Sequence, residues 1–106
     1  MPFFNFDSIP EKELFPGVQA RLVHGESMTM AYMRIQADAQ APEHSHPHEQ
    51  ITNVVVGTLE LTVEGVAKSM SAGEVAVIPP NAPHSARAVT DCLVLDVFHP
   101  VREDYR

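Results

Sequence analysis

The chain has one cysteine, no tryptophan, and only seven lysines and arginines among its 106 residues. The single cysteine, Cys92, excludes a disulfide framework. Seven basic residues against fourteen acidic ones give a formal charge of −7, the opposite of the balance that a phosphate-binding surface needs. No uncharged apolar run approaches the roughly 18 residues of a membrane span. The composition therefore predicts a protein with no nucleic-acid partner and no membrane partner.

The amino terminus also lacks the features of a signal peptide. It has no basic region followed by a long apolar stretch and small residues. Together with the scarcity of cysteine, this favours a cytoplasmic location.

Helical periodicity is lacking throughout the chain, whose nine prolines and five glycines interrupt it at short intervals. Turn residues recur about every eight positions with β-branched segments between them, which is typical of an all-β sandwich or barrel. The recurring residues are Gly57, Gly65 and Gly73. Two cores would each be too small for a chain of this length. We therefore expect one domain over residues 1–106, with an amino-terminal edge segment at 1–16 and a barrel at 17–106.

The predicted strands number eight to ten and are mostly antiparallel. They lie at residues 18–23, 28–35, 43–46, 49–56, 59–63, 66–70, 74–78, 84–88 and 92–98. The first two are expected to form a hairpin, and the last is apolar enough to be buried on both faces. A further edge strand is expected near residues 3–6.

Histidines are concentrated at His44, His46 and His48. Residues i and i+2 of a strand share a face, so His44 and His46 can present two imidazoles to one point. Gln50 returns to that face if pairing resumes in register after a proline. His84 follows the rigid proline loop at 79–83 and opens a strand, which makes it the candidate for a further ligand.

A site with three neutral imidazoles and one amide oxygen suits a divalent transition metal ion, with Zn, Ni, Mn and Fe as candidates. Such a site leaves the ion's charge uncompensated, so it attracts a small anionic ligand. A lone strand histidine is usually a surface or core-edge residue, but this combination favours one metal ion per chain. His48 is expected at the rim of the site, while His24 and His99 are expected to be structural or exposed. Glu49 could be a carboxylate ligand, although strand alternation turns it away.

Two motifs at these residues resemble those of the cupin superfamily, G-x5-H-x-H-x3,4-E-x6-G followed by G-x5-P-x-G-x2-H-x3-N. The matching residues are His44, His46, Gly57, Gly73, Pro79 and His84. The resemblance implies a cupin double-stranded β-helix, or jelly-roll barrel, covering about residues 17–106. A small barrel with apolar surface left to cover is also expected to form a homodimer.

Four positions depart from the cupin pattern. Asp38 and Asn81 stand where the motifs have glycine, Ala88 stands where the second has asparagine, and Gln50 stands where the first has glutamate. Asn81 tolerates a left-handed turn, so its substitution is mild. Gln50 removes a carboxylate that many family members use.

The carboxyl-terminal strand carries Asp96 among apolar neighbours, and a buried carboxylate is costly unless it meets a cation, a donor or a metal. Asp96 and Phe98 share a face, and a turn can bring Arg102 back over the barrel mouth. These three residues can supply an acid or base, an apolar wall and a carboxylate clamp. The alternative is a structural ion pair of Asp96 with Arg34 or Arg102, with Phe98 as plain core.

The D-x-F-x3-R pattern formed by Asp96, Phe98 and Arg102 is similar to the tail of small cupins of pectin and alginate degradation, which convert 4,5-unsaturated uronates to linear keto forms. That resemblance implies that His44, His46, Gln50 and His84 bind the metal. It also implies that Asp96 exchanges protons, Phe98 shapes the pocket and Arg102 holds the substrate carboxylate. The expected function is metal-dependent ring opening and ketonisation of an unsaturated uronate.

Two other functions stay open at this point. One is an Fe(II)-dependent dioxygenase, which the missing carboxylate ligand disfavours but three histidines do not exclude. The other is a non-catalytic metal- or sugar-binding module, such as a sensor.

Overall fold

A computed structural model describes residues 3–106, which form ten strands and two single 3₁₀ turns. The strands are β1 (Lys12–Phe15), β2 (Val18–His24), β3 (Thr29–Ile35), β4 (Gln40–His44), β5 (Glu49–Val56), β6 (Leu59–Val63), β7 (Val66–Met70), β8 (Val75–Ile78), β9 (His84–Ala88) and β10 (Cys92–His99). The 3₁₀ turns are Phe6–Ser8 and Glu103–Tyr105. Neither turn, and no other helix in residues 3–106, has the length and apolarity to cross a membrane.

The strands form two antiparallel sheets, as the sequence predicted. A six-stranded sheet has the order β1-β2-β3-β10-β5-β8, and a four-stranded sheet has the order β4-β9-β6-β7. The expected hairpin of β2 and β3 is confirmed, with pairing from Val18 opposite Ile35 to His24 opposite Thr29. All eight strand pairs of the described residues are antiparallel.

Both sheets contribute side chains to one apolar core. The buried members include Val18, Ile35, Val54, Leu59, Leu61, Met70, Ile78 and Val94. Alternation along each strand places these residues on the inner faces. The expectation that residues 92–98 are buried on both faces is wrong, because Val94 is buried while Leu93 is 45% exposed. The four-stranded sheet covers only the inner face of β10. The outward side chains of β10 therefore stay accessible.

The amino-terminal edge strand lies later in the chain than predicted. Residues 3–6 form no strand, and the Asn5 side chain instead accepts a hydrogen bond from Asp7 N at 2.9 Å to begin the first 3₁₀ turn. The edge strand is β1, which pairs with β2. Residues 1 and 2, which the predicted domain and its edge segment include, lie outside the described residues. The division of the chain into an edge segment and a barrel stays a prediction.

The glycine positions of the two motifs have positive φ angles in this chain even where glycine is absent. Asp38 and Asn81 have φ angles of 70° and 64°, in the left-handed region. Asparagine and aspartate enter this region more readily than other residues with a side chain. The prediction that Asn81 tolerates a left-handed turn is confirmed.

Candidate active site

Three histidines converge at one end of the barrel. His44 is the last residue of β4, His84 is the first of β9, and the two are register partners whose ring centroids lie 4.3 Å apart. The His46 ring centroid lies 4.9 Å from that of His84. Their candidate ligand atoms are all within 4.8 Å of one another. The structure therefore brings together the three histidines that the sequence singled out.

The local reason for this convergence differs from the predicted one. We expected His44 and His46 to share a strand, but β4 ends at His44 and His46 lies in the following loop. The proline loop before β9 holds this segment, since Asn81 N donates to His46 O at 2.8 Å. A contact between distant segments, rather than strand alternation, places His46.

Each of the three rings uses Nδ1 for a backbone contact. Nδ1 donates to Pro42 O at 2.7 Å in His44, to His48 O at 3.1 Å in His46, and to Ala82 O at 2.8 Å in His84. A carbonyl oxygen can only accept, so in the neutral ring the lone pair is on Nε2. Nε2 of His84 is buried and has no hydrogen-bond partner among residues 3–106. Fixing the tautomer through the other ring nitrogen is how metal-binding histidines are oriented.

Burial keeps two of these rings, His46 and His84, in the neutral form that a metal requires. It lowers the pKa of His46 to about 4, and the positive charge of Arg102 adds to this effect. Burial also lowers the pKa of His84. Both rings are therefore neutral at physiological pH and able to donate a nitrogen lone pair.

Gln50 completes the set with an amide whose orientation is determined by its neighbours. Its Nε2 donates to Thr52 Oγ1 and to Asp96 Oδ2, both at 3.0 Å, so Oε1 faces the histidines. This oxygen lies 3.0 Å from His46 Nε2. Two acceptor atoms facing each other at this distance are stabilised by a shared cation, so the donor set fits a bound metal ion. The contact to Asp96 also explains the amide, because glutamate would place a second carboxylate beside Asp96.

Asp96 is 4% exposed and faces the cavity from β10. Oδ2 accepts the Gln50 amide hydrogen, whereas Oδ1 has no partner among the described residues. Burial raises the pKa of Asp96 to about 7, against the opposing effects of Thr52 and Arg102. The carboxyl can therefore both give and take a proton near neutral pH.

The ion-pair alternative for Asp96 is wrong. Arg34 pairs with Glu11 at 2.8 Å on the outer surface, and Arg102 pairs with Asp104 at 2.8 Å. Neither arginine forms a salt bridge with Asp96. The carboxyl of Asp96 is left available to the cavity.

Phe98 and Arg102 form the adjoining wall. Phe98 is opposite Gln50 in the β5–β10 ladder, and its ring centroid lies 5.8 Å from that of His46. The Arg102 guanidinium stacks on Phe98, with Cζ 4.7 Å from the ring centroid. Nη1 of Arg102 is buried without a hydrogen-bond partner in residues 3–106. Phe98 is thus both core and site wall, and Arg102 has a donor to offer.

These groups line a partly open cavity of about 60 Å³. The lining includes His44, Gln50, His84, Asp96, Phe98 and Arg102 together with apolar side chains such as Leu14, Phe15 and Met33. One partly apolar pocket thus brings together imidazole nitrogens that could hold a metal ion, a buried carboxyl group and a guanidinium N–H free to donate.

The other histidines and the glutamate considered as ligands lie outside the cluster of His44, His46 and His84. His48 is half-buried with Nε2 3.3 Å from Val101 O, and Glu49 and His99 are exposed and face one another across β5 and β10. His24 contacts Thr29 Oγ1 through Nδ1 at 2.9 Å. The sequence motifs do not include Thr52, although it shares strand parity with Gln50.

The chain is similar in sequence and fold to several known proteins. The sequence model of the Cupin domain family matches residues 31–98. The pectin degradation protein KdgF of Dickeya dadantii is 26% identical over 106 residues, covering 97% of this chain and 96% of that protein. The structure of KdgF from Halomonas sp. has 30% identity and a TM-score of 0.92, covering 100% of this chain and 99% of the other.

The fold comparison extends to an RmlC-like cupin from Shewanella frigidimarina, with 25% identity and a TM-score of 0.94 over 100% of this chain and 96% of the other. This match confirms the jelly-roll barrel. The resemblance expected from the two histidine motifs and the tail is confirmed as well. With a family match spanning more than half of its length, the chain belongs to the cupin family.

Proposed function

We propose that this cupin is a metal-dependent enzyme that opens and ketonises 4,5-unsaturated uronates. The observation that carries the proposal is the set of unpaired buried atoms on residues lining one cavity, namely His84 Nε2, Asp96 Oδ1 and Arg102 Nη1. Buried polar atoms without partners are rare in folded proteins and call for an explanation, which a bound ligand would supply here. The similarity to proteins named for pectin degradation supports a uronate as that ligand.

His44, His46, Gln50 and His84 would hold one divalent ion. Three imidazole nitrogens and an amide oxygen are compatible with Zn, Ni, Mn or Fe. When bound, the ion would act as a Lewis acid that polarises a substrate oxygen.

The reaction rearranges bonds within the substrate and needs no oxidant. The bond from the anomeric carbon to the ring oxygen breaks as the anomeric hydroxyl loses its proton and the ring oxygen gains one, giving an aldehyde and an enol. A proton carried by Asp96 then adds at C4 as the enol hydroxyl releases its own, which leaves a ketone at C5. The product is an isomer of the substrate. A single residue that both gives and takes protons is therefore sufficient for the proton transfers.

Arg102 would bind the substrate carboxylate through Nη1. Arginine is well suited to this task because it is always charged and directional. Phe98, packed between Arg102 and His46, would set the distance between the carboxylate and the metal-binding side of the pocket.

The test combines metal content with turnover. Purified protein should hold close to one divalent ion per chain by elemental analysis and should accelerate ring opening of unsaturated galacturonate over the spontaneous rate, followed by ultraviolet absorbance or NMR. His46→Ala and His44→Ala should lose most of the ion and the activity. His99→Ala, at the exposed end of β10, is the matched control and should keep both.

Two results would contradict the proposal. Equal metal content in the wild type, His46→Ala and His44→Ala would remove the metal site, and no acceleration by metal-loaded wild type would remove the uronate reaction. Activity should also persist without O₂ and with redox-inert Zn. Strict dependence on Fe(II) and O₂ would instead assign the dioxygenase.

We also infer that two copies associate through the outer face of the six-stranded sheet. Rows of apolar residues stand side by side there on β5, β8 and β10 without an intervening charge. The exposed members are Ile51, Val55, Val75, Val77 and Leu93. A chain of net charge −7 repels its own copies except through an uncharged face, and a second copy presents the same apolar rows in a self-complementary contact.

A further inference from the structure

The Arg102 side chain is held by a short segment that no sequence motif singled out, the 3₁₀ turn Glu103–Tyr105. Arg102 Nε donates to Asp104 Oδ1 at 3.0 Å, and Nη2 donates to Asp104 Oδ2 at 2.8 Å. This two-pronged pair occupies one edge of the guanidinium. The other terminal nitrogen, Nη1, is not part of it.

Two aromatic rings contact the same guanidinium. Cζ lies 3.8 Å from the Tyr105 ring centroid and 4.7 Å from that of Phe98. The two rings also contact each other, with centroids 5.9 Å apart in an edge-on arrangement. An arginine that contacts two rings and pairs with a carboxylate has little rotational freedom left.

The segment that carries these contacts is itself anchored. Arg102 N donates to the buried Thr29 Oγ1 at 2.9 Å, and Tyr105 N donates to Arg102 O at 3.1 Å. Lys12 on β1 reaches the Tyr105 carbonyl at 3.3 Å. The turn is therefore tied to two strands of the six-stranded sheet.

The two side chains of this ion pair differ in their exposure to solvent. The Asp104 side chain is 58% exposed, whereas that of Arg102 is 5% exposed. The Nε edge of Arg102 thus pairs with a carboxylate on the solvent side. Nη1 of the same side chain, which lines the cavity, is buried and unpaired.

We propose that Asp104 and Tyr105 are positioning residues that make Arg102 present its Nη1 end to the substrate. The ligand carboxylate then binds end-on, because the Nε edge is already taken by Asp104. Asp104 also offsets much of the charge of Arg102, so selection depends on hydrogen-bond direction more than on net positive charge. The identity of the anion as a uronate rests on the proposed function, while the holding of Arg102 does not.

The first experiment observes Arg102 itself in the full-length protein. Side-chain ¹⁵N NMR should show separate, slowly exchanging Nη signals for Arg102 in the wild type and in Tyr105→Phe, which keeps the ring. Asp104→Ala and Tyr105→Ala should average them. Glu103→Ala is the matched control, since Glu103 lies in the same turn but pairs with Arg106 at 3.7 Å. Averaged signals in the wild type, or identical spectra for Asp104→Ala and Glu103→Ala, would overturn the inference.

The second experiment measures the effect on the ligand. With unsaturated galacturonate, Asp104→Ala and Tyr105→Ala should each raise KM by about 10-fold with kcat within about 2-fold, because a contact made equally in the ground and transition states is weakened. Tyr105→Phe should resemble the wild type. Asp104→Ala added to Arg102→Ala should raise KM no further, since its effect acts through Arg102. Additive effects, or a loss in kcat alone, would contradict the positioning role.

Failure of the proposed function is distinguishable from failure of this inference. A wild type without turnover would end the uronate reaction, and titration with saturated galacturonate, followed by the Arg102 Nη signals, would then decide end-on binding. A shift of the Nη1 signal in the wild type, with a smaller shift of the averaged Nη signal in Asp104→Ala, supports the inference. Slowly exchanging Arg102 signals with no response to galacturonate would overturn the end-on carboxylate site.

Discussion

The Gln50 amide presents an oxygen to one side of the site and an N–H donor to the other. Its oxygen lies on the side of His46, and its nitrogen donates to Asp96 and Thr52. A carboxylate at this position could bind a cation but could not donate to Asp96. The departure from the cupin motif at Gln50 therefore follows from the presence of Asp96.

Gln50→Glu should separate these two roles. We expect tighter metal retention from the added negative ligand, weaker binding of an anionic substrate, and a lower kcat because the hydrogen bond to Asp96 is lost. Chelator competition measures the first effect and steady-state kinetics the others. Gln40→Glu, at an exposed position of β4, is the control. Unchanged retention and kinetics would place Gln50 away from the ion.

Asp96→Asn tests whether the Asp96 carboxyl group transfers a proton to the substrate. Asparagine keeps the shape and can still accept the Gln50 amide hydrogen, but it cannot exchange a proton. We expect kcat to fall by roughly 10²- to 10⁴-fold with KM little changed. Asp91→Asn, at an exposed position just before β10, should leave kcat unchanged. A rise in KM with kcat preserved would instead indicate that Asp96 binds the substrate without moving a proton.

The connection after β5 depends on a glycine for two separate reasons. Gly57 has a φ of 93°, and a Cβ at this position would contact the Asp91 carbonyl oxygen and lie 2.8 Å from Thr90 Oγ1. Gly65, between β6 and β7, has a φ of 79° but no atom within 4 Å of an added Cβ. A residue with a side chain would be strained by the positive φ at both positions. An added Cβ would collide with neighbouring atoms only at Gly57.

Gly57→Ala should therefore destabilise the fold more than Gly65→Ala. We expect about 1–2 kcal/mol for the left-handed conformation at Gly65 and a further 1–3 kcal/mol, roughly, for the collision at Gly57. Urea unfolding monitored by circular dichroism measures both. Equal costs would show that the neighbouring turn at 90–91 moves aside without penalty.

At the scale of the whole molecule, the inferred dimer can be disrupted from its apolar face. Val77→Lys places a charge among the apolar residues of that face and should convert a dimer to a monomer in sedimentation or light-scattering measurements. Val66→Lys, on β7 of the other sheet where Val66 is 72% exposed, is the matched control. A wild type that is monomeric at all concentrations, or a dimer insensitive to Val77→Lys, would rule out this interface.

The sequence by itself determined the strands and the chemistry of the site. Alternation and turn residues predict nine of the strands to within a few residues, because side-chain direction in a strand is a local property. The spacing of His44, His46 and His84 relative to the turns predicts a common site, and the tail motif adds Asp96 and Arg102. The misplaced edge strand at residues 3–6 reflects a local competitor, the Asn5 cap of a 3₁₀ turn.

Only the tertiary structure decided which atoms are available. Strand parity could not show that His46 leaves β4 and is held by Asn81, that Asp96 avoids both arginines, or that Arg102 pairs with Asp104. These outcomes depend on contacts between segments far apart in the chain and on the burial that follows from them. Burial is what shifts the pKa of Asp96 and leaves Nη1 of Arg102 unpaired, and burial is a property of the packed barrel rather than of any local pattern.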